Sequence, residues 1–268
     1  MTVDRGKRSV LAVEVNVIDY DAAVSRIIEA AGERRTLSVS ALAVHGVMTG
    51  ALDPEQKYRL NRLDIVTPDG QPVRWALNLL HGERLGDRVR GVELTHRVCA
   101  AAAKHGLALY FYGSRQEVLD AWKNRLTSEF PGLVVAGMEP SRFGQLSDAE
   151  DDELDARIRA SGARIVFVGL GCPRQEVFAY EHAAALQMPV LAVGAAFDFN
   201  AGAKQAPHWM QEGGLEWLFR LAQEPRRLWR RYLLLNPLYC ILLAGQMIGL
   251  VPGWLKRERR PLRPLRHG

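Results

Sequence analysis

The sequence predicts an α/β chain built on a mostly parallel sheet with helices on both faces, followed by a helical, basic and apolar C-terminal appendage. Three observations lead there. Short apolar runs rich in β-branched or aromatic residues recur along the first 200 positions, stretches with helical spacing separate most of them, and this alternation stops after Phe197. Strand–helix alternation at such a repeat implies right-handed βαβ crossovers, which place helices over both faces of the sheet.

Taken in order, the strand candidates are residues 10–15, 37–41, 65–67, 107–112, 133–136, 164–168 and 190–193. The helix candidates are 20–31, 73–80, 92–104, 116–130, 148–160 and 174–186. The acidic run 147–153 reads as the start of a helix, with Ser147 as N-cap and Glu150 completing a capping box, rather than as a metal site. With no low-complexity linker and no internal repeat, the chain divides into a core over 1–205 and an appendage over 206–268.

At 268 residues, 48% hydrophobic and 24% charged, the chain has ample core, which excludes disorder and collagen-like or disulfide-stapled classes. Cys99, Cys172 and Cys240 form neither a CxxC pair nor a zinc spacing, so a reducing compartment is expected. The first residues show no apolar run with a small-residue cleavage site, so no secretory signal is expected.

The net charge of +5 hides an asymmetry. From Arg220 onward eleven basic residues face two acids, Glu224 and Glu258, a balance of +9, while the preceding 219 residues carry 24 basic and 28 acidic groups, or −4. Within the basic zone, the 24 residues 232–255 carry no charge, and Arg226, Arg227, Arg230 and Arg231 precede them as Lys256, Arg257, Arg259 and Arg260 follow. Length alone permits a membrane span. Asn236, Pro237, Gln246 and Pro252, with positive charge on both flanks, fit an in-plane or re-entrant helical hairpin on an anionic membrane surface better. The plainer reading is a C-terminal helix packed on the body or at an oligomer interface. Nucleic acid is not expected as a partner, since the apolar stretch has no role there.

Ligands of open parallel sheets bind at the carboxyl ends of strands, and three segments fall there. The first, 67–71, places Asp69 and Gly70 between a strand and an apolar helix; Asp69 is either a general base or a helix cap. The second, 169–176, has Gly169 and Gly171 for close backbone approach, Pro173 suited to a first helical position, and a helix start able to meet phosphate. It is a GxG without the third glycine of a dinucleotide fingerprint, as Arg174 stands there, and it lacks a P-loop ending. The third, 194–202, offers Gly194 for approach to a sugar or base, and Asp198 as a hydroxyl ligand or N-cap. No DxD at a strand end and no HExxH or clustered histidines occur, so no metal site is expected.

Together these segments resemble the WecB/TagA/CpsF family, glycosyltransferase family 26, over about residues 10–232. The matching stretches are TPDG at 67–70, RVRG at 88–91, GLGCPRQE at 169–176, GAAFDFNAG at 194–202 and APHWMQEGGLEWLFRLAQEPRRLWRRY at 206–232. The resemblance implies a Rossmann-like, metal-independent, inverting enzyme that needs no cofactor. Its donor would be a UDP-sugar and its acceptor a polyprenyl-diphosphate-linked sugar at the cytoplasmic face of a bacterial inner membrane, with the protein peripheral to that membrane. It also implies a homo-oligomer, although no stretch marks an interface. By the same resemblance Asp69 is the base, Arg88 the arginine that follows it, and Gln175 the glutamine of the glycine-rich loop. Arg220, Arg227 and Arg230 are the appendage arginines that reach over the site. Helical spacing sets those three on one face, and Arg226 and Arg231 to the sides as phospholipid contacts.

The chain departs from the family where a Thr-x-Asn is usual: Ala41 and Ala43 stand there, with His45 and Thr49 as the nearest polar substitutes, and Gln205 replaces an arginine before Ala206. No particular sugar is therefore expected. Two rival readings remain: a non-catalytic nucleotide-binding protein that docks on membranes, and an NAD-dependent oxidoreductase, which lacks the third glycine and a placed ribose-binding acid.

Overall fold

The computed structural model describes residues 2–268. The first strand candidate is two strands: β1 (Asp4–Val10) and β2 (Val13–Ile18) form an antiparallel hairpin of their own. Leu11 and Ala12 turn the chain with φ of 52° and 62°, a turn that carries no Gly, Asn or Asp signal in the sequence. Asn16 of the hairpin accepts the Val66 N–H at 2.8 Å. An otherwise unpaired group on an edge strand is thereby satisfied.

The main sheet has six parallel strands in the order β4 (Ile65–Pro68), β3 (Leu37–Leu42), β8 (Pro189–Ala192), β7 (Ile165–Gly169), β5 (Leu109–Gly113) and β6 (Val135–Glu139). Apart from the half-buried edge strand β6, its strands are buried on both sides, and successive residues serve opposite cores. Tyr110, Tyr112, Val166 and Val168 pack into one, while Leu109, Phe111, Ile165 and Phe167 pack into the other. That is the period-2 alternation of a doubly covered sheet.

On the first face lie α2 (Val44–Leu52), α3 (Pro54–Arg62), α4 (Gln71–His81), α7 (Asp148–Ala160) and α8 (Arg174–Leu186). On the second lie α1 (Tyr20–Gly32), α5 (Gly91–His105), α6 (Gln116–Glu129) and the short α9 (Ala196–Asn200). The sequence reading lacked α2 and α3. Their stop and start share one residue, since Asp53 closes α2 and caps α3 by accepting the Glu55 N–H at 2.8 Å, with Pro54 as the first helical residue. The capping box of α7 forms as expected.

Loops leaving β3 and β7 enter helices on the first face, and the loop leaving β8 enters α9 on the second. A crevice therefore opens at the carboxyl ends on either side of β8, where open α/β sheets hold ligands.

The appendage is helical as expected, but its uncharged stretch does not form a helical hairpin. It forms α10 (His208–Glu212), α11 (Glu216–Gln223) and α12 (Pro225–Met247). Gly214, with φ of +69°, separates the first two, and Glu224–Pro225 separates the others, because a residue before proline is pushed out of the helical region. The helix α12 runs unbroken through Pro237. Leu228, Tyr232, Tyr239 and Leu242 face the body, the Tyr239 hydroxyl donates to the Pro72 carbonyl at 3.1 Å, and Gln246 clips the hairpin turn through Leu11 N–H and Ser9 O.

Beyond a 3-10 turn at Gly253–Lys256 the chain runs back across the body. Buried Lys57 donates to the Leu255 and Arg257 carbonyls, and Arg266 pairs with Asp148 and Asp151. No described helix is long and apolar enough to cross a membrane.

Candidate active site

A cleft of about 1590 Å³ opens above the carboxyl ends of β4, β3, β8 and β7 and is roofed by α11 and α12. It gathers Asp69, Gly70, Arg88, Gly169, Gly171, Gln175, Gly194, Asp198, Arg220, Arg227 and Arg230. Pro173 is the exception: it precedes α8 as its cap residue, outside the helix, and lies exposed beyond the cleft lining.

Asp69 follows β4, whose last residues pair Thr67 with Ala41 and Pro68 with Leu42. The main chain of Asp69 donates to Leu42 O at 3.2 Å, which fixes it beside the end of β3. Its side chain does not cap the adjoining helix α4, whose N-cap is Gly70. Oδ1 accepts instead from Gly91, the first residue of α5, at 2.9 Å, so the cap reading holds for a helix 22 positions away. Oδ2 has no protein hydrogen bond among the described residues and remains available to the cleft. Burial pushes the Asp69 carboxyl above the usual carboxylate range, and the Gly91 N–H, Arg88 and Arg90 pull against that shift. A carboxylate so placed holds a proton more tightly than a free one does, as a general base requires.

Arg88 is buried and pairs with Glu216 of α11 at 2.5 Å; Arg90 reaches the same carboxylate at 3.4 Å and the Gln211 side chain at 2.6 Å. These contacts tie the roof to the Asp69 loop. Sequence reasoning missed Arg90, Gln211 and Glu216, although buried Arg88 requires an acid and Glu216 stands inside the long appendage motif.

The glycine-rich loop is organised by its own glutamine. Gln175 is 4% exposed; its Oε1 accepts the Gly171 N–H at 3.1 Å, and its Nε2 donates to Glu176 Oε1 at 2.8 Å. The Gly171 N–H, expected to be free for phosphate, is thus taken. Gly194 has φ of +55°, and a Cβ there would lie 2.8 Å from Gln175 Oε1, so the two glycine turns close on one amide. The close approach at Gly169 is to Phe197, whose ring would stand 2.7 Å from a Cβ, and not to a ligand. Glu176 is fully buried, accepts from Ser40 Oγ at 3.3 Å, and is pushed upward by that burial.

The three appendage arginines reach the cleft from two helices, Arg220 from α11 and Arg227 and Arg230 from α12, rather than from one face of a single helix. Arg220 lies over the Phe199 ring at 5.3 Å, and Arg227 pairs with Glu224 at 2.5 Å. Asp198 stands at the mouth of the cleft.

Arg231, expected at the lipid surface, instead lines the cleft half-buried, because the start of α11–α12 folds over the site instead of lying flat. His45 lines the wall as well, whereas Thr49 turns away to the Gly46 carbonyl at 2.8 Å and faces Cys172. Among the described residues no group of three or more His, Cys, Asp or Glu is arranged to hold a metal ion.

A carboxylate with one free oxygen, set in a large cleft with many arginines at the switch of a parallel sheet, suits transfer chemistry on a phosphorylated substrate. A model of the glycosyl transferase WecG/TagA/CpsF family matches residues 8–251. The chain belongs to this family. As a WecG/TagA/CpsF-type glycosyltransferase it acts on a sugar donor and an acceptor, and the match extends from the hairpin through all of α12, so the roof belongs to the family unit as much as the sheet does.

Proposed function

We propose that the chain is a metal-independent, inverting glycosyltransferase that needs no cofactor. It moves a hexose or N-acetylhexosamine from a UDP-sugar to a polyprenyl-diphosphate-linked acceptor in cell-surface polysaccharide synthesis. The observation that carries this reading is Asp69, held on one oxygen by Gly91 N–H and open on the other, in the same cleft as Arg220, Arg227 and Arg230. The acceptor hydroxyl attacks the anomeric carbon from the face opposite UDP while Asp69 takes its proton. The bond to UDP breaks, and the negative charge that develops on its terminal phosphate is met by preorganised cations.

In this reading residues 1–205 hold the sugar nucleotide and 206–268 close the site and rest on the cytoplasmic face of a bacterial inner membrane. Two features favour that surface role: the outward apolar side chains Ile241, Ile248, Leu250 and Trp254, and the exposed basic groups on either side of them.

The test is a panel of UDP-sugars presented to the purified full chain with a lipid-diphosphate-linked sugar. UDP should raise the melting temperature, and one donor should yield a lipid product heavier by one sugar in mass spectrometry. No stabilisation by UDP and no transfer from any UDP-sugar would refute the reading.

A further inference from the structure

Arg231 is the one cleft arginine with a buried guanidinium nitrogen that lacks any hydrogen-bond partner among the described residues, its Nε. Arg88, Arg90 and Arg227 of the same cleft each have a carboxylate partner, Glu216 or Glu224. Arg231 has none within 4 Å among the described residues. Around it stand the Tyr232 ring, Cys172 of the glycine-rich loop, and two like charges, Arg220 and Arg227. Near it on α2 is His45, which bonds the Cys172 backbone and whose buried Nδ1 has no partner among the described residues.

A half-buried cation beside like charges, with no anion from the protein itself, is held at a free-energy cost. An anionic ligand that fills the gap removes it. Guanidinium matches phosphate in charge and in paired hydrogen-bond geometry, and three arginines meeting at one place suit a multiply charged diphosphate better than a single carboxylate.

We infer that Arg231 and His45 form a phosphate subsite on the cleft wall between α2 and the glycine-rich loop, taking one phosphoryl group of a diphosphate-bearing substrate. This rests on the glycosyltransferase reading above, in which both donor and acceptor carry a diphosphate. The role of His45 follows from its charge state. In the ligand-free cleft, burial and the Arg231 charge lower its pKa to about 4, against a backbone hydrogen bond to Cys172; a phosphate beside it supplies the negative charge that favours a proton on the open Nδ1, which then donates to that phosphate.

Calorimetric titration of the full chain separates the outcomes, with inorganic pyrophosphate, UDP and farnesyl diphosphate as probes. Arg231→Gln should weaken pyrophosphate binding tenfold or more. Arg231→Lys should retain part of the affinity, and Arg84→Gln, an exposed arginine outside the cleft, should retain all of it. The ligand-free Arg231→Gln protein should melt at or above the wild-type temperature, because an unpaired, half-buried cation has been removed. Beside the loss for pyrophosphate, a loss for UDP but not farnesyl diphosphate assigns the subsite to the donor, and the converse assigns it to the acceptor.

Equal affinity of wild type and Arg231→Gln for all three probes would overturn the inference, as would an equal loss in Arg84→Gln. If Arg231→Gln does not fold, unchanged pyrophosphate affinity in both Arg231→Lys and His45→Gln overturns it instead. Binding of pyrophosphate needs no turnover, so a protein that binds it through Arg231 yet transfers no sugar would contradict the enzyme assignment and leave the subsite standing.

Discussion

Burial acts against the charged form of both Asp69 and His45, and the consequences are opposite. It keeps the histidine neutral at physiological pH and raises the proton affinity of the carboxylate. For His45 the folded-state pKa of about 4 lies below the model-peptide value of 6.5, so the unfolded chain binds the proton first as pH falls. Stability is therefore lost progressively between pH 6.5 and 4 and is flat below, a change of up to about 3 kcal/mol from this group. His45→Gln should remove that part of the slope, which urea unfolding at a series of pH values would show; an unchanged slope would mean that His45 titrates normally. For Asp69, the acid limb of kcat/KM should lie above the ordinary carboxylate range. Little of this residue-scale chemistry is legible in the sequence. Asp69 and Gln175 stand at strand ends and can be picked out, but the sequence does not show that Gln175 spends its hydrogen bonds on Gly171 and Glu176, because those contacts exist only once two loops meet.

At the scale of elements, the appendage carries the largest revision. Hydropathy and charge mark 206–268 as helical and two-sided, yet its breaks come from backbone chemistry at Gly214 and Pro225, and these decide that Arg220 and Arg227 approach the site from separate helices. The helix α12 divides its faces: Tyr239 and Leu242 pack inward, while Ile241, Ile248 and Leu250 at its outer side and end stay at least two-thirds exposed. The outward set should hold the protein on anionic lipid through apolar contact backed by basic neighbours. Replacing Ile241, Ile248 and Leu250 with serine should lower sedimentation with phosphatidylglycerol vesicles by about tenfold to a hundredfold in partition coefficient, with unchanged circular dichroism. Equal sedimentation of variant and wild type would remove this surface from any membrane role. The helices α2 and α3 were illegible for a different reason. Their nine-residue lengths and the shared Asp53–Pro54 boundary leave no long periodic stretch to read.

For the whole molecule, the strand–helix alternation was enough to predict the parallel sheet, since each buried strand announces itself as a short apolar run. The N-terminal hairpin escaped that logic because its turn uses Leu11 and Ala12 where glycine or asparagine is usual. The charge split between a −4 body and a +9 C-terminal segment is resolved by folding into two populations. Arg220, Arg227, Arg230 and Arg231 turn toward the cleft, and Arg259 and Arg266 strap the tail to acids of the body. In the proposed reaction Asp69 is the one group that takes the proton of the attacking hydroxyl. The decisive measurement is the transfer rate of Asp69→Asn on a lipid-diphosphate-linked acceptor, beside its calorimetric affinity for UDP. The account predicts a fall in kcat of about a hundredfold to ten-thousandfold with UDP affinity preserved. A variant that transfers sugar at the wild-type rate would contradict it.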